Sequence, residues 1–473
     1  MVDALIWYFE VFILTYFVAI NGIYTLLTFG AFFDLVRYRH RVGHGESTRN
    51  LLSETTYEPI SILVPAHDEA ATIVASVRCL LQLGYPSFEV IVVNDGSTDN
   101  TLDLLVKEFD LSAVASATWT RISTREVKQA YRSLKYPELL VLDKVQGGKS
   151  DALNAAINVS KYPLFCSIDA DSLLEPQALR RIARAFAEDD RIIAAGGVVR
   201  VLNGALVERG GVVASRVPWR PLLLCQSLEY VRGFSAGRTS LARINSLLII
   251  AGAFGLFRKA PVIEIGGYHR DTVCEDMELV VRLRRKAREA KRVARVIFVP
   301  DPVCWTQVPS DWGSLIQQRD RWQRGLLESL WMHRKMFMNP RYGAVGLIAM
   351  PFYTLFEALG PVIELSGYVF VAVLFFLGLL NKQFFILFLL LAGLYSIILS
   401  LTALNIDQLL FDRYRRTSDL ARMMLGSVLE FFGYRQFLTL VRTFAFCTVV
   451  ARRNTWGHLR RDKFSEQPVK DME

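Results

Sequence analysis

The sequence predicts an α/β domain with a parallel sheet, combined with α-helical transmembrane segments. Apolar residues make up 52% of the 473 residues, and they are unevenly distributed. Residues 1–35 and 342–405 are almost free of charge, whereas 45–340 resembles a soluble domain in composition. Within that domain, continuously apolar strands alternate with helical patterns, which is typical of a parallel sheet covered on both faces.

The first apolar run predicts an uncleaved transmembrane helix. No Lys or Arg precedes residues 4–35, and no small-residue cleavage site follows them, as a secretory signal would require. The basic segment RYRHR at 37–41 follows the run directly. Because basic residues favour the cytoplasmic side, we expect the N-terminus outside and residue 37 onward in the cytoplasm.

The C-terminal apolar region predicts two further crossings. Residues 342–380 are longer than one span and contain two prolines, and 384–405 is a clear span. Residues 423–450 are amphipathic, which favours an interfacial or re-entrant position. Glu357 and Glu364 fall inside the apolar region, where acids either line a channel or lie at the interface.

The charge and the cysteines exclude some functions. The net charge of +9 comes from arginines that flank the apolar segments, and no nucleic-acid-binding motif accompanies it. We therefore expect these arginines to lie at the cytoplasmic ends of membrane spans, and we expect no nucleic-acid partner. The six cysteines show no CxxC pairing, which indicates free thiols in a reducing compartment.

Acidic residues follow the first two strands of the predicted sheet. The first strand is expected to break at Pro65, with Asp68 and Glu69 after it, and Asp95 follows the second strand. Ligands of parallel sheets bind beyond the carboxyl ends of the strands, so these acids predict a shared site. The alternative for Asp95 is helix capping.

Two further motifs indicate a metal and a diphosphate. Asp169 and Asp171 end an apolar strand at positions i and i+2, which on an extended chain share one face. Two carboxylates this close favour a divalent cation between them and a diphosphate. The turn at 147–149 places Lys149 before a helix, where phosphate can bind, but the spacing is not that of a Walker A loop.

These motifs, with CEDMEL (274–279) and QQRDRW (317–322), resemble glycosyltransferase family 2 in order and spacing. The resemblance covers residues 58–325 and is strongest to processive membrane synthases of cellulose, chitin oligosaccharide, hyaluronan and poly-N-acetylglucosamine. It implies a GT-A-like fold, in which a Rossmann-like nucleotide-binding half is fused to an acceptor-binding half.

The resemblance also implies roles for individual residues. Asp171 and Asp169 would hold Mg²⁺ or Mn²⁺, and Asp276, next to Glu275, would be the general base. Trp322 would stack on the acceptor sugar. The residues expected to bind the nucleotide sugar are Pro65, Glu69, Asp95, Lys149, Asp169, Gln318 and Arg321.

Some of these roles have local alternatives. Glu275 and Asp276 also suit the N-terminus of a helix over 277–290, and both readings can hold together. Trp322 shares an apolar stripe with Leu315, Leu326 and Leu330 and could be a packing residue. Cys274 stands where the family commonly has Thr, so local hydrogen bonding should differ.

The expected function is an inverting transfer from a UDP-sugar, UDP-N-acetylglucosamine first, to a growing β-linked polysaccharide that is exported. The alternatives are single addition to a lipid-linked acceptor and a catalytically silent subunit of an export complex. The chain would lie in the inner membrane with its catalytic domain cytoplasmic, in contact with the bilayer and with room for a small accessory membrane subunit. The predicted segments are 1–36 (transmembrane), 45–310 (transferase domain), 311–341 (interfacial helix), 342–450 (transmembrane and interfacial helices) and 451–473 (tail).

Overall fold

The computed structural model describes residues 1–49, 57–115, 120–208, 211–214, 216–414 and 416–450. The predicted tail at 451–473 lies outside the described residues. The chain forms two compact units. Among the described residues, the sheet unit contains those of Val42–Arg216 and Leu247–Val308, and the helical unit contains those of Met1–Arg41, Val217–Ser246 and 309–450.

The segment Val217–Ser246 departs from the predicted boundaries, because it belongs to the helical unit rather than to a continuous 45–310 domain. The reason is its apolar surface. Leu224 and Leu228 are buried in one cluster with Leu404 and Met423. The segment therefore completes the core of the helical unit.

Most strands of the sheet unit form one mixed sheet. In chain order the described strands are β1 (Ile60–Ala66), β2 (Phe88–Asp95), β3 (Leu111–Val114), β4 (Val127–Ser133), β5 (Leu139–Lys144), β6 (Leu164–Ser167), β7 (Ser172–Leu174), β8 (Ile192–Val201), β9 (Leu206–Glu208), β10 (Gly211–Ala214), β11 (Gly255–Arg258) and β12 (Arg295–Thr306). Ten of these described strands pair in the order β3-β4-β5-β2-β1-β6-β11-β8-β12-β7. The four neighbours β5, β2, β1 and β6 are parallel, as predicted.

Strand β1 continues through Pro65 to Ala66, so the predicted break at Pro65 is wrong. The Leu63 carbonyl accepts a hydrogen bond from the Ile168 N–H, on the side of β6. Pro65, two residues further, faces the same side, but the pairing with β6 ends at Leu63. A missing N–H costs nothing at that position, so the proline is tolerated within the strand.

The helices connect these strands and build the helical unit. In chain order they are α1 (Val2–Arg49), α2 (Ile73–Leu81), α3 (Thr101–Phe109), α4 (Lys149–Val159), α5 (Ala178–Glu188), α6 (Pro221–Val231), α7 (Thr239–Arg243), α8 (Lys259–Glu264), α9 (Glu275–Glu289), α10 (Trp312–Met332), α11 (Met350–Phe352), α12 (Gly360–Phe376), α13 (Lys382–Leu389), α14 (Tyr395–Phe411), α15 (Thr417–Leu429) and α16 (Arg435–Val450). The π-helical turns are Arg232–Arg238, Val345–Ala349, Tyr353–Ala358, Leu390–Leu394 and Glu430–Tyr434, and the 3₁₀ turns are Arg334–Met336 and Pro340–Tyr342.

The helical unit contains helices that could cross a membrane. Among the described residues, three are long and apolar enough by length and composition: Val2–His40, Val345–Phe376 and Lys382–Phe411. They coincide with the apolar runs found in the sequence. The amphipathic region at 423–450 is divided between α15 and α16 by a kink in which Gly433 has a φ of 98°.

Candidate active site

A buried ion cluster organises the carboxyl ends of β2 and β5. Lys144, the last residue of β5, places its Nζ 2.6 Å from Asp95 Oδ1 and 2.9 Å from Asp151 Oδ1. The side chains of Lys144 and Asp151 are fully buried. The Lys144 ammonium also donates to the Val145 carbonyl at 2.7 Å, so its three protons are all used.

Asp95 holds the glycine turn that precedes α4. Its Oδ1 accepts the Gly147 N–H at 2.9 Å, and its Oδ2 accepts the Gly148 N–H at 2.6 Å. Gly148 has a φ of 89°, which a side chain would strain, and a Cβ at Gly147 would come 2.7 Å from Asp151 Cγ. The nucleoside contact of Asp95 stays a prediction, and the structure adds a loop-organising role.

Asp151 connects this cluster to two further segments. Its carboxylate accepts the Arg125 backbone N–H at 3.0 and 3.1 Å and an Arg270 N–H at 3.3 Å. Neither Asp151 nor Lys144 was singled out from the sequence. The available signal was a charged residue at the end of the apolar run LLVLDK, because a charge at a buried strand end needs a partner.

The residues expected near the base lie at the end of β1. Pro65 is partly exposed within the strand. The Glu69 side chain is buried and accepts a hydrogen bond from the Thr72 hydroxyl at 2.9 Å. Burial raises the pKa of Asp68, but hydrogen bonds from the Thr98 and Asp99 N–H groups outweigh it, and the pKa is lowered. The base-pocket roles of Pro65 and Glu69 stay predictions.

Lys149 lies among carboxylates at the start of α4. Its Nζ is 2.6 Å from Asp169 Oδ1 and 3.1 Å from Glu275 Oε1. Burial lowers the pKa of Lys149, but the negative charges of Asp169, Glu275 and Asp276 outweigh it, and the pKa is raised. Lys149 is therefore a stable cation. It lies between Asp169 and the adjacent pair Glu275 and Asp276, which are more than 100 residues away from Asp169 in the sequence.

Asp169 and Asp171 are presented by a turn and not by an extended strand. Strand β6 ends at Ser167, and the Ser172 N–H donates to the Asp169 carbonyl at 3.0 Å. Asp171 is 2% exposed, and its Oδ1 lies 3.4 Å from the Thr306 hydroxyl. The expected extended geometry is therefore wrong, because the chain turns directly after β6.

The carboxylates of Asp169 and Asp171 suit a hard divalent cation whose other ligands come from a diphosphate. Among the described residues, no three His, Cys, Asp or Glu side chains come together as a complete metal cage. Mg²⁺ is commonly held by one or two carboxylates, with substrate phosphates and water supplying the other oxygens. Two carboxylates thus fit such an ion.

Asp276 lies in the first turn of α9, beside the loop that precedes β11. Its Oδ1 accepts the Met277 N–H at 2.8 Å and the Cys274 thiol at 3.0 Å. Its Oδ2 accepts the Gly252 N–H at 3.0 Å. Acids fill the first turn of α9 and bases its last turn, as expected from the helix dipole. The helix-terminal reading is compatible with a general base.

Gln318, Arg321 and Trp322 lie on α10, in the helical unit. Gln318 is buried, whereas Trp322 is 39% exposed and stacks under the Arg319 guanidinium at 4.2 Å. Leu315, Leu326 and Leu330 of the apolar stripe are buried. Trp322 is thus not a member of the buried stripe, and its stacking role stays a prediction.

A family model described as "Glycosyltransferase like family 2" matches residues 58–325, more than half of the chain. The chain belongs to this family. The matched segment contains the acidic cluster around Lys149, and it ends within α10, at Gly325. The GT-A-like combination of a Rossmann-like sheet with apolar helices is consistent with this membership.

Curated relatives of this glycosyltransferase-like chain are polysaccharide synthases by name. It is 26% identical over 278 residues to poly-β-1,6-N-acetyl-D-glucosamine synthase of Staphylococcus epidermidis, which covers 58% of this chain and 57% of the relative. The protein of the same name from Staphylococcus aureus (strain COL) is 25% identical over 269 residues, with 57% and 54% covered. The chain therefore spans just over half the length of these relatives.

Two solved structures are also similar. A mannosyltransferase, PcManGT from Pyrobaculum calidifontis, in complex with GDP-Man and Mn²⁺, is 17% identical with a TM-score of 0.49, and 91% of this chain and 97% of that one are covered. Staphylococcus aureus TarS in complex with UDP is 14% identical with a TM-score of 0.40, and 80% and 92% are covered.

Proposed function

We propose that this protein is a membrane-bound, inverting glycosyltransferase. It transfers sugar from a UDP-sugar, with UDP-N-acetylglucosamine as the first candidate, to a growing β-linked polysaccharide. The observation that carries the proposal is the cluster of Asp169, Glu275 and Asp276 around Lys149 within a family 2 match. The names of the curated relatives support the choice of donor sugar.

Asp276 supplies the base for the acceptor. It is partly exposed at a helix N-terminus, and backbone N–H groups hold both of its oxygens. A carboxylate in a fixed orientation can accept the proton of a sugar hydroxyl as that oxygen attacks the anomeric carbon. Attack in line with the departing diphosphate converts an α-linked donor into a β-linked product.

The site requires cations in order to bind a diphosphate. Asp169, Asp171, Glu275 and Asp276 carry four negative charges, and Lys149 contributes one positive charge. A diphosphate would add to a net charge of about −3, which a low-dielectric site disfavours strongly. Mg²⁺ or Mn²⁺ at Asp169 and Asp171 would supply Lewis-acid stabilisation of the leaving group.

The remaining assignments follow from the family pattern. Lys149, Gln318 and Arg321 contact the diphosphate, and Trp322 stacks on the acceptor sugar. Asp95, Pro65 and Glu69 form the nucleoside pocket. Each of these assignments can be tested by substitution of the single residue concerned.

The membrane placement is part of the proposal. Three apolar helices support insertion in the bilayer of a plasma (inner) membrane, and the arginines that flank them support a cytoplasmic sheet unit. This placement is consistent with export of the polysaccharide by the helical unit, together with a small accessory membrane subunit.

The decisive experiment incubates the purified protein with a panel of labelled UDP-sugars and Mg²⁺ or Mn²⁺. Elongating products on a gel support polymerisation, whereas one added sugar on a lipid-linked acceptor supports the single-addition alternative. If no UDP is released with any donor, the chain is a silent binding subunit and the proposal fails.

The Asp276→Asn variant tests the base directly. We expect turnover to fall by about 10²-fold or more while UDP-sugar binding persists, because the side chain keeps its size and loses its charge. The matched control is Asp271→Asn, since Asp271 is exposed five residues upstream. Wild-type turnover in Asp276→Asn would place the base elsewhere.

A further inference from the structure

The hydrogen bonds of Asp276 distinguish its two carboxylate oxygens. Each oxygen has two lone pairs. On Oδ1 they are taken by the Met277 N–H at 2.8 Å and the Cys274 thiol at 3.0 Å. On Oδ2 the Gly252 N–H at 3.0 Å takes one. Among the hydrogen bonds of the described residues, one lone pair of Oδ2 therefore stays available for a proton.

We propose that Asp276 Oδ2 is the atom that accepts the acceptor proton, and that Cys274 and Gly252 are positioning residues that fix this choice. The proposal rests on the proposed function and names the groups that orient its base. Gly252 comes from the loop before β11 and Cys274 from the residue before α9, so two separate segments hold one carboxylate.

The transfer moves one proton to Asp276 and one electron pair to the leaving diphosphate. The acceptor hydroxyl gives its proton to Oδ2 while its oxygen forms a bond to the anomeric carbon of the donor sugar. The bond from that carbon to the diphosphate oxygen breaks, and the nucleoside diphosphate leaves with the electron pair. Asp276 then releases the proton to water and is ready for the next transfer.

The thiol of Cys274 suits a positioning role because it stays protonated. Burial raises the pKa of Cys274, and the charges of Asp276 and Glu275 raise it further. A neutral thiol is a hydrogen-bond donor, whereas a thiolate next to Asp276 would repel it. The residue is therefore a stable donor and a poor nucleophile.

The loop that contains Gly252 lies close to Lys149 and Asp276. A Cβ at Gly252 would lie 2.9 Å from Lys149 Nζ and 3.4 Å from Asp276 Oδ2. A side chain there would displace the ammonium from its carboxylates. Glycine at this position thus leaves room for the Lys149 ammonium beside the base.

The first test measures steady-state UDP release by Cys274 variants of the full chain. We expect Cys274→Ala to lower kcat by about tenfold with donor KM unchanged, because a loosened base is aimed less often at the hydroxyl. Cys274→Ser keeps a donor and should restore most of the activity. Cys447→Ser, which changes an exposed thiol, is the control. Wild-type kcat in Cys274→Ala would overturn the positioning role.

The second test does not depend on activity. Peptide-resolved alkylation compares Cys274 in the wild type and in Asp276→Asn, with Cys447 as the internal reference. Removal of the neighbouring charge should lower the pKa of Cys274 and speed its alkylation by about tenfold for each unit of pKa. An unchanged rate would show that the thiol does not contact Asp276.

The two tests separate the possible failures. If the wild type releases no UDP with any sugar, the proposed function fails and the role of Oδ2 fails with it, while the alkylation result still decides whether Cys274 holds Asp276. If the wild type is active but Cys274→Ala is equally active, the positioning role alone is wrong.

Discussion

Removal of the Lys144 charge should destabilise the sheet unit more than any single surface change. Lys144 is fully buried between Asp95 and Asp151, at 2.6 and 2.9 Å. Lys144→Met keeps the approximate length of the side chain and its apolar stem. It leaves two buried carboxylates without their shared cation and takes a donor from the Val145 carbonyl.

The magnitude follows from burial. Breaking a buried ion pair by removal of one partner costs about 3–5 kcal/mol, because the remaining charge stays buried. An exposed pair contributes roughly 0–1 kcal/mol. The matched control is Lys128→Met on β4, since Lys128 is half exposed and lies 4.0 Å from Asp143.

The rate of Cys166 alkylation in the intact, detergent-solubilised protein can measure the difference in stability between the two variants. Cys166 is fully buried on β6 between β1 and β11, so it reacts only when the sheet opens. With about 1.4 kcal/mol for each tenfold change, Lys144→Met should speed alkylation by about 10²- to 10⁴-fold. Lys128→Met should change the rate by less than about fivefold. Equal rates in the two variants would refute the buried-charge reasoning.

Three further perturbations test the site. Asp171→Ala should weaken UDP–Mn²⁺ binding roughly tenfold or more in calorimetric titration, and unchanged affinity would contradict a metal role. Gly252→Ala should lower turnover, because the added Cβ would lie 2.9 Å from Lys149 Nζ, whereas Gly233→Ala, whose Cβ meets nothing within 4 Å, should not. The lowered pKa of Asp68 means that its stabilising effect is present above the unfolded pKa of about 3.9 and is lost as pH falls through the lower folded value. The thermal midpoint of Asp68→Asn should therefore lie below that of the wild type at pH 7 and approach it as the pH falls below about 3.9, and a constant difference would argue against this linkage.

The parallel half of the sheet could be predicted because its signal is local. β1, β2 and β6 are short, largely apolar strands whose residues are nearly all buried, and an acid either ends the strand or follows it closely. Carboxyl ends of parallel strands share one edge, so Asp95 and the acids after β1 were expected at one site. Lys149 and Asp169 were assigned together to the nucleotide sugar by the family resemblance.

The partners inside the site could not be predicted, because they depend on contacts distant in sequence. Lys144 pairs with an acid 49 residues earlier, and Lys149 pairs with Glu275, 126 residues later. A lysine at a strand end resembles a solvated residue unless the fold that buries it is known. The turn after β6 was missed for a similar reason, since Asp-Ala-Asp fits a strand or a turn equally well.

Glu357 shows the same limit in the helical unit, where the sequence left a channel and an interface open. Its Oε1 accepts the Tyr24 hydroxyl at 2.7 Å, and its Oε2 lies 3.3 Å from the Arg442 guanidinium. Arg442 also donates to the side-chain oxygen of Gln323 on α10 at 2.9 Å. An acid among apolar helices must be paired or solvated, and here α1 and α16, at opposite ends of the described chain, supply the partners. These contacts explain the position of Glu357 without a channel. An acid within an apolar run therefore indicates a buried polar partner more directly than it indicates a transport channel.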